Sequence, residues 1–195
     1  VIKDSWPETQ IYSIDEAFLC LDKLSFEKVN DFCLQLQKKV FKYTGIPVSI
    51  GLGATKTLAK LANKIAKEQL KLPVFYLSKA SHWLNKMPVN DIWGVGRQWS
   101  KKLNKLGILT AKDLQELEPI FIKQKFSVVL ERTALELQGV NCIDIEEGKL
   151  KKSIISSKSF GSMQSEQSAI MEALSSYCSR AAVKLRSQNS KVGYI

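Results

Sequence analysis

Two short apolar runs near the start of the chain, 10–12 and 17–21, have strand length, and residues 13–16 fall at or near their junction. The next segment, "LSFEKVNDFCLQLQKKVFKYTG", changes to helical rhythm. Phe26, Val29, Cys33, Leu36 and Val40 recur on one face, Ser25 stands where an N-cap belongs, and Gly45 ends the pattern. "IPVSIGLG" is apolar and β-branched and predicts a central strand. A helix over 55–69 and a strand in "LPVFYL" follow, so residues 10–77 read β-β-α-β-α-β, an α/β or α+β layer.

Beyond residue 78 the rhythm breaks into short helices, roughly 79–85, 97–106, 110–116 and 119–137, punctuated by Pro88, Gly94, Gly96, Gly107 and Pro119. This predicts a small all-helical domain over 78–140. Residues 141–154 have little periodicity and suit a linker. A third unit starts near 155 with a long amphipathic helix in "SEQSAIMEALSSYCSRAAVKLRSQ", leading into a strand at "KVGYI". The first residue is valine, and the last five read as a strand beginning. Both ends are therefore expected to cut through folded structure, making the chain a fragment of a longer protein.

Composition changes this picture little. Of 195 residues, 45% are apolar and 25% charged, which are globular values. No apolar run is long enough to span a membrane, and no basic-then-apolar leader is present. Four scattered cysteines without a CxxC pair, and a single histidine, His82, argue against structural zinc and for a reduced, intracellular setting.

Charge changes it more. The net charge is +10, and residues 56–105 hold eleven Lys or Arg against two acids, Glu68 and Asp91. That surplus favours a polyanionic partner such as nucleic acid, against the plainer reading of a solvated surface. On a helical projection of "GLGATKTLAKLANKIAK", Lys56, Lys60, Lys64 and Lys67 fall within about 80° of one another, with Leu58, Leu61, Ala62 and Ile65 opposite. Four crowded ammonium groups invite phosphate, and the glycines of "GLG" are expected to let a ligand approach, although the P-loop pattern is absent. "VNDIWGVGRQWSKKLNKLGILTAKDL" is laid out as a helix-hairpin-helix module. Its Gly94-Val95-Gly96 turn offers backbone N–H groups to DNA phosphates, and Arg97, Lys101 and Lys102 add charge. Trp93 and Trp99 fit the core of that module. In "QIYSIDEAFLCL", Asp15 and Glu16 sit among apolar residues, and a solvated turn, a basic partner or a metal ion are all compatible with them.

Taken in order, "YSIDEAF", "GLGATKTLAKLANKIAK", "VNDIWGVGRQWSKKL" and "SKSFG" resemble the Y-family translesion DNA polymerases, most closely the bacterial UmuC type, over essentially the whole chain. The resemblance implies an α+β palm remainder over 1–77, a helical thumb with a helix-hairpin-helix over 78–140, a linker over 141–154 and the start of an α/β little finger domain over 155–195. It implies that Asp15 is a ligand of Mg²⁺ and Glu16 its catalytic neighbour in a two-metal site. It implies that Lys67 meets the triphosphate of a dNTP, with Lys60 on the same helix, and that Gly94, Gly96, Arg97, Lys101, Lys102 and Lys158 lie along DNA.

The implied function is error-prone nucleotidyl transfer to a primer 3′-hydroxyl in translesion synthesis and the SOS response, in the cytoplasm. The partners are primer–template DNA and, for the intact protein, a UmuD-like dimer, the RecA filament and the sliding clamp. The family's first metal-binding aspartate and its fingers precede the SIDE motif and are not found here. The fragment alone is therefore expected to be inactive. A non-catalytic module that binds the DNA backbone, or a degenerate polymerase paralogue, are the competing readings.

Overall fold

A computed structural model describes residues 1–145 and 153–193. The chain divides into two compact units, Val1–Ile145 and Glu146–Ile195. The first begins with a single helical turn, α1 (Ile2–Ser5), in a stretch that lacks strand spacing. The hairpin then forms as its apolar runs predict. β1 (Thr9–Ile11) pairs antiparallel with β2 (Ala17–Leu19), Thr9 opposite Leu19 and Ile11 opposite Ala17.

α2 (Phe26–Thr44) starts after an extended Ser25, whose hydroxyl makes no capping bond, and stops at Gly45 with φ 70°. Cys33, Leu36 and Val40 are buried as their spacing predicts, and burial pushes the Cys33 thiol up to about 11, so it packs as a neutral group. Phe26 departs from the expectation. It is exposed and meets the Tyr76 ring edge-on, with ring centres 5.4 Å apart.

β3 (Ile50–Leu52) and β4 (Val74–Tyr76) run parallel, Ile50 opposite Val74, with α3 (Lys56–Lys64) in the crossover between them. The expected central strand over 46–53 is thus only three residues long, and among the described residues it pairs with β4 alone. Its glycines answer to the helix and not to a ligand. A Cβ on Gly51 would collide with the Ala59 carbonyl and the Asn63 amide, and one on Gly53 would lie 2.7 Å from the Ala59 nitrogen. The backbone of α3 rests directly on β3, which only residues without a side chain permit. A Gly51→Ala substitution is expected to cost about 1–3 kcal/mol through overpacking, read as a lower urea midpoint. An unchanged midpoint would show that α3 can retreat.

The helix predicted over 55–69 changes winding part-way. α3 gives way at Ile65 to a π-helical turn, Ile65–Leu70. This wider winding breaks the projection on which Lys67 was aligned with the other lysines.

The short helices follow as α4 (Trp83–Lys86), a 3₁₀ turn at Val89–Asp91, α5 (Arg97–Asn104), α6 (Ala111–Glu116), α7 (Pro119–Lys125) and α8 (Val128–Leu137). The single helix expected over 119–137 is two. Ser127 is extended and its hydroxyl accepts the Leu130 N–H at 3.2 Å, starting a new helix with its own cap. One apolar cluster runs from Leu58 and Ile65 through Leu77 and Leu84 to Leu114, Leu130 and Leu137, so the helices share a core with α3.

Thr110 caps α6 as predicted, in a reciprocal box. Its hydroxyl accepts the Asp113 N–H at 3.1 Å, and Asp113 accepts the N–H groups of Thr110 and Leu109 at 2.8 and 2.9 Å. Burial pulls the Asp113 carboxyl upward, but those amides and the Thr110 hydroxyl outweigh it and hold it below its ordinary 3.8. A depressed folded-state value stabilises fully above the unfolded value and is lost as pH falls through the folded one. Asp113→Asn is therefore expected to flatten the loss of stability on acidification below about pH 4, measured by urea midpoints from neutral to acid pH. A parallel acid profile in both proteins would overturn this.

The second unit contains α9 (Gln167–Ser187), none of whose residues is buried, preceded by an irregular stretch from residue 153. Lys184 ties the two together through the Ile155 carbonyl at 3.2 Å. The core of the expected linker, 146–152, and the end of the expected last strand, Tyr194 and Ile195, lie outside the described residues; 191–193 form no strand. Among the described residues no helix is long and apolar enough to cross a membrane.

Candidate functional site

The loop between β1 and β2 closes on itself. Glu16 carbonyl oxygen accepts the N–H groups of Tyr12 and Ser13 at 3.0 and 3.1 Å, and the Ser13 hydroxyl donates to Asp15 Oδ1 at 2.7 Å. Asp15 and Glu16 therefore sit in an exposed hairpin turn, beside a fully exposed Ile14. The apolar neighbours form the strands, and the acids escape burial.

The turn faces α3. Lys60 Nζ donates to both oxygens of Glu16, at 2.9 and 3.0 Å. The same ammonium lies 4.6 Å from the Tyr12 ring centre and 5.2 Å from that of Trp93. Those rings meet edge-on at 84°, and the Trp93 indole N–H donates to the Tyr12 hydroxyl at 2.9 Å. Phe18 packs on both. One turn further along α3, Lys64 pairs with Asp91 at 2.7 Å and reaches Glu68 at 3.8 Å. Lys56 donates to the Ile143 carbonyl at 2.9 Å.

Half of the lysine stripe is thus neutralised from within. Lys60 and Lys64 are held by acids and Lys56 by a backbone carbonyl, whereas Lys67, exposed at the π-helical turn, has no acid partner among the described residues. Crowding alone gives no reason for phosphate; the reason narrows to Lys67. An open cleft of about 230 Å³ lies here, lined by Glu16, Lys60, Asn63, Lys64, Lys67, Glu68, Asp91 and Trp93. Asp15 lies beside it, outside the lining.

Magnesium takes oxygen ligands in a near-octahedral shell. Asp15 has the right donor type and, among the described residues, one unengaged oxygen, but both Glu16 oxygens hold Lys60. Among the described residues no group of three or more potential ligands is gathered. The donor type fits the ion and the donor number does not.

The glycine turn is built as the hairpin pattern predicts. Gly94 has φ 85° and Gly96 takes the N-cap position of α5, where no side chain caps the free N–H groups. Ile92 and Val95 anchor the turn in the core, leaving Gly94, Gly96 and Arg97 exposed. Lys101 and Lys102 are exposed on α5, and the Lys102 ammonium lies 4.8 Å over the Trp99 ring. Lys158 is exposed in the second unit.

Trp99 packs on the core and against Phe126, as expected. Trp93 does not. It leaves the helical core to join Tyr12 and Phe18. Tyr12, Asn63 and Trp93 are the members that sequence reasoning missed, together with the pairing roles of Asp91 and Glu68. The one available signal was a tryptophan directly before a GxG turn.

Comparisons agree with this layout. The impB/mucB/samB family model matches residues 1–64, the IMS family HHH motif 78–108, and the impB/mucB/samB family C-terminal domain 151–195. Protein UmuC of Salmonella typhimurium is 40% identical over 100% of this chain and 48% of its own length; Protein SamB of the same species is 42% identical over 93% and 45%. The chain spans about half the length of the curated relatives it matches. Among solved structures, a Y-family DNA polymerase chimera superposes with a TM-score of 0.71 at 20% identity, over 94% of this chain and 54% of that one. A DinB family error-prone DNA polymerase from Sulfolobus solfataricus gives 0.56 at 20% identity, over 94% and 56%. These likenesses show the fold.

Proposed function

The chain belongs to the impB/mucB/samB family, the UmuC type of Y-family polymerases, and on that premise we propose that the whole protein is an error-prone DNA-directed DNA polymerase. It transfers a nucleotidyl group from a dNTP to a primer 3′-hydroxyl in translesion synthesis. The observation that carries this reading is the acidic turn at Asp15 and Glu16, held by Lys60 of α3 beside a glycine turn whose helix N-terminus no side chain caps.

In this reading residues 1–77 are palm, 78–140 thumb, 141–154 linker and 155–195 the start of the little finger. Lys67, the cleft lysine without an acid, takes the triphosphate, while Lys60 serves Glu16. Gly94, Gly96, Arg97, Lys101, Lys102 and Lys158 follow the DNA backbone. Mg²⁺ is the cofactor proposed, bound by Asp15 and Glu16 with at least one further aspartate in the part of its relatives that this chain does not span. A UmuD-like dimer, the RecA filament and the sliding clamp are the proposed partners, and the cytoplasm the proposed location.

Backbone gripping has a measurable signature. Lys101→Ala and Lys102→Ala are each expected to weaken duplex binding evenly across sequences and to reduce the salt slope by about 1, measured by fluorescence anisotropy over a salt series. The function is tested by primer extension with the full-length protein, Mg²⁺ and four dNTPs, on intact and abasic templates. Template-directed extension on both supports the polymerase. Tight duplex binding with no extension on either would replace it with the DNA-binding module.

A further inference from the structure

Trp93 stands between two parts of the proposed machinery. Its backbone continues directly into Gly94, where φ turns to 85°, and its carbonyl accepts the Thr133 hydroxyl at 3.3 Å. Its side chain points the other way, into the acidic turn. The indole N–H holds the Tyr12 hydroxyl at 2.9 Å, and the ring lies 5.2 Å from Lys60 Nζ. Lys60 in turn holds both oxygens of Glu16.

A lysine ammonium is conformationally free unless something fixes it. Here two rings at right angles form a partial cage around it, and the indole–phenol hydrogen bond fixes the rings to each other. Removing Trp93 takes away one wall of the cage and the donor that orients the other.

We propose that Trp93 is a positioning residue that couples the phosphate-gripping turn to the acidic turn, by holding Lys60 and through it Glu16. The ligand read by the turn is the phosphodiester backbone of duplex DNA. The inference deepens the polymerase reading and rests on it. A displacement of the 94–96 turn by bound phosphate moves the indole, because Trp93 is its immediate neighbour in the chain. The indole cannot move without disturbing the Tyr12 hydroxyl and the Lys60 ammonium.

The test uses ¹H–¹⁵N spectra of the 195-residue chain, with the Trp93 indole resonance identified by its loss in Trp93→Phe. Glu16→Gln, which removes the anion from Lys60, is expected to shift that resonance. A short mixed-sequence DNA duplex is expected to shift it along the same saturation curve as the Gly96 and Arg97 amides. If those amides move and the indole does not, the coupling is overturned while backbone binding stands. If neither moves, the coupling falls together with the proposed role of the turn. An indole unmoved by Glu16→Gln overturns the Lys60 link. In the full-length protein Trp93→Leu is expected to lower kcat about tenfold with KM for primer–template unchanged, Trp93→Phe recovering part of it. A raised KM at wild-type kcat would make Trp93 a binding residue and overturn the positioning role.

Discussion

An Asp15→Ala variant of the full-length protein is expected to lose about 100- to 1,000-fold in primer extension, the scale on which preorganised electrostatic groups act, while duplex affinity stays near wild type. The geometry singles out Asp15 over its neighbour. Both Glu16 oxygens are engaged by Lys60, whereas Asp15 is exposed and has one oxygen bonded to the Ser13 hydroxyl. Asp15 therefore carries the negative charge of this turn that no lysine among the described residues offsets. Its side chain supports nothing in the core, so the loss belongs to chemistry. The melting temperature should fall by no more than about 2 °C, as for surface substitutions. Extension at the wild-type rate would remove Asp15 from the site and shift the balance to a DNA-binding module.

Glu136→Ala is expected to destabilise the chain by about 3–5 kcal/mol, from lost charged hydrogen bonds and stranded donors. Glu136 sits on α8, fully buried at 0% exposure. Its Oε2 accepts the Thr57 N–H at 2.7 Å, and its Oε1 accepts those of Ile143 at 3.0 Å and Cys142 at 3.4 Å. Its backbone carbonyl accepts the Thr55 hydroxyl at 2.8 Å. One carboxylate thus satisfies the open N-terminus of α3, where a negative charge also meets the positive end of the helix dipole. It pins the chain at 142–143 as well. Because α3 carries Lys60 and Lys64, the same residue sets the footing of the cleft. Glu136→Gln keeps one acceptor oxygen but turns two amide hydrogens toward existing donors, and should cost roughly half as much. Urea unfolding of the three proteins checks this. Coincident midpoints would show that α3 and the 142–143 backbone are held without the carboxylate.

Much of the layout was legible along the chain. The hairpin runs, the buried Cys33, Leu36 and Val40 of α2, the stop at Gly45 and the cap at Thr110 are local features, set within a turn or two of backbone, and each appears where its residues predict. The glycine turn and the order of the motifs were legible for the same reason. The expectation over 119–137 erred because apolar spacing continued across Phe126 and Ser127, and periodicity cannot see a hydroxyl capping a new helix at Leu130.

The candidate site was legible in its acids and lysines, and not in its aromatic members or in the relations among them. Charge pattern put four lysines on one face, yet whether that face seeks phosphate depends on acids far away in sequence. Glu16 reaches Lys60 across 44 residues and Asp91 reaches Lys64 from the 3₁₀ turn, and among the described residues these contacts leave Lys67 as the cleft lysine that the acids do not claim. The glycines of "GLG" looked like an opening for a ligand and proved to be an opening for α3, because only the packed chain shows which backbone comes close. Trp93 looked like core and joined the acidic turn.

Most elements, the order of the motifs and the two acids could be read along the chain, because helix rhythm and turn chemistry are properties of neighbouring residues. Which charges are already spent on each other came from the folded chain alone, since electrostatic pairing acts through space between residues that the sequence keeps apart.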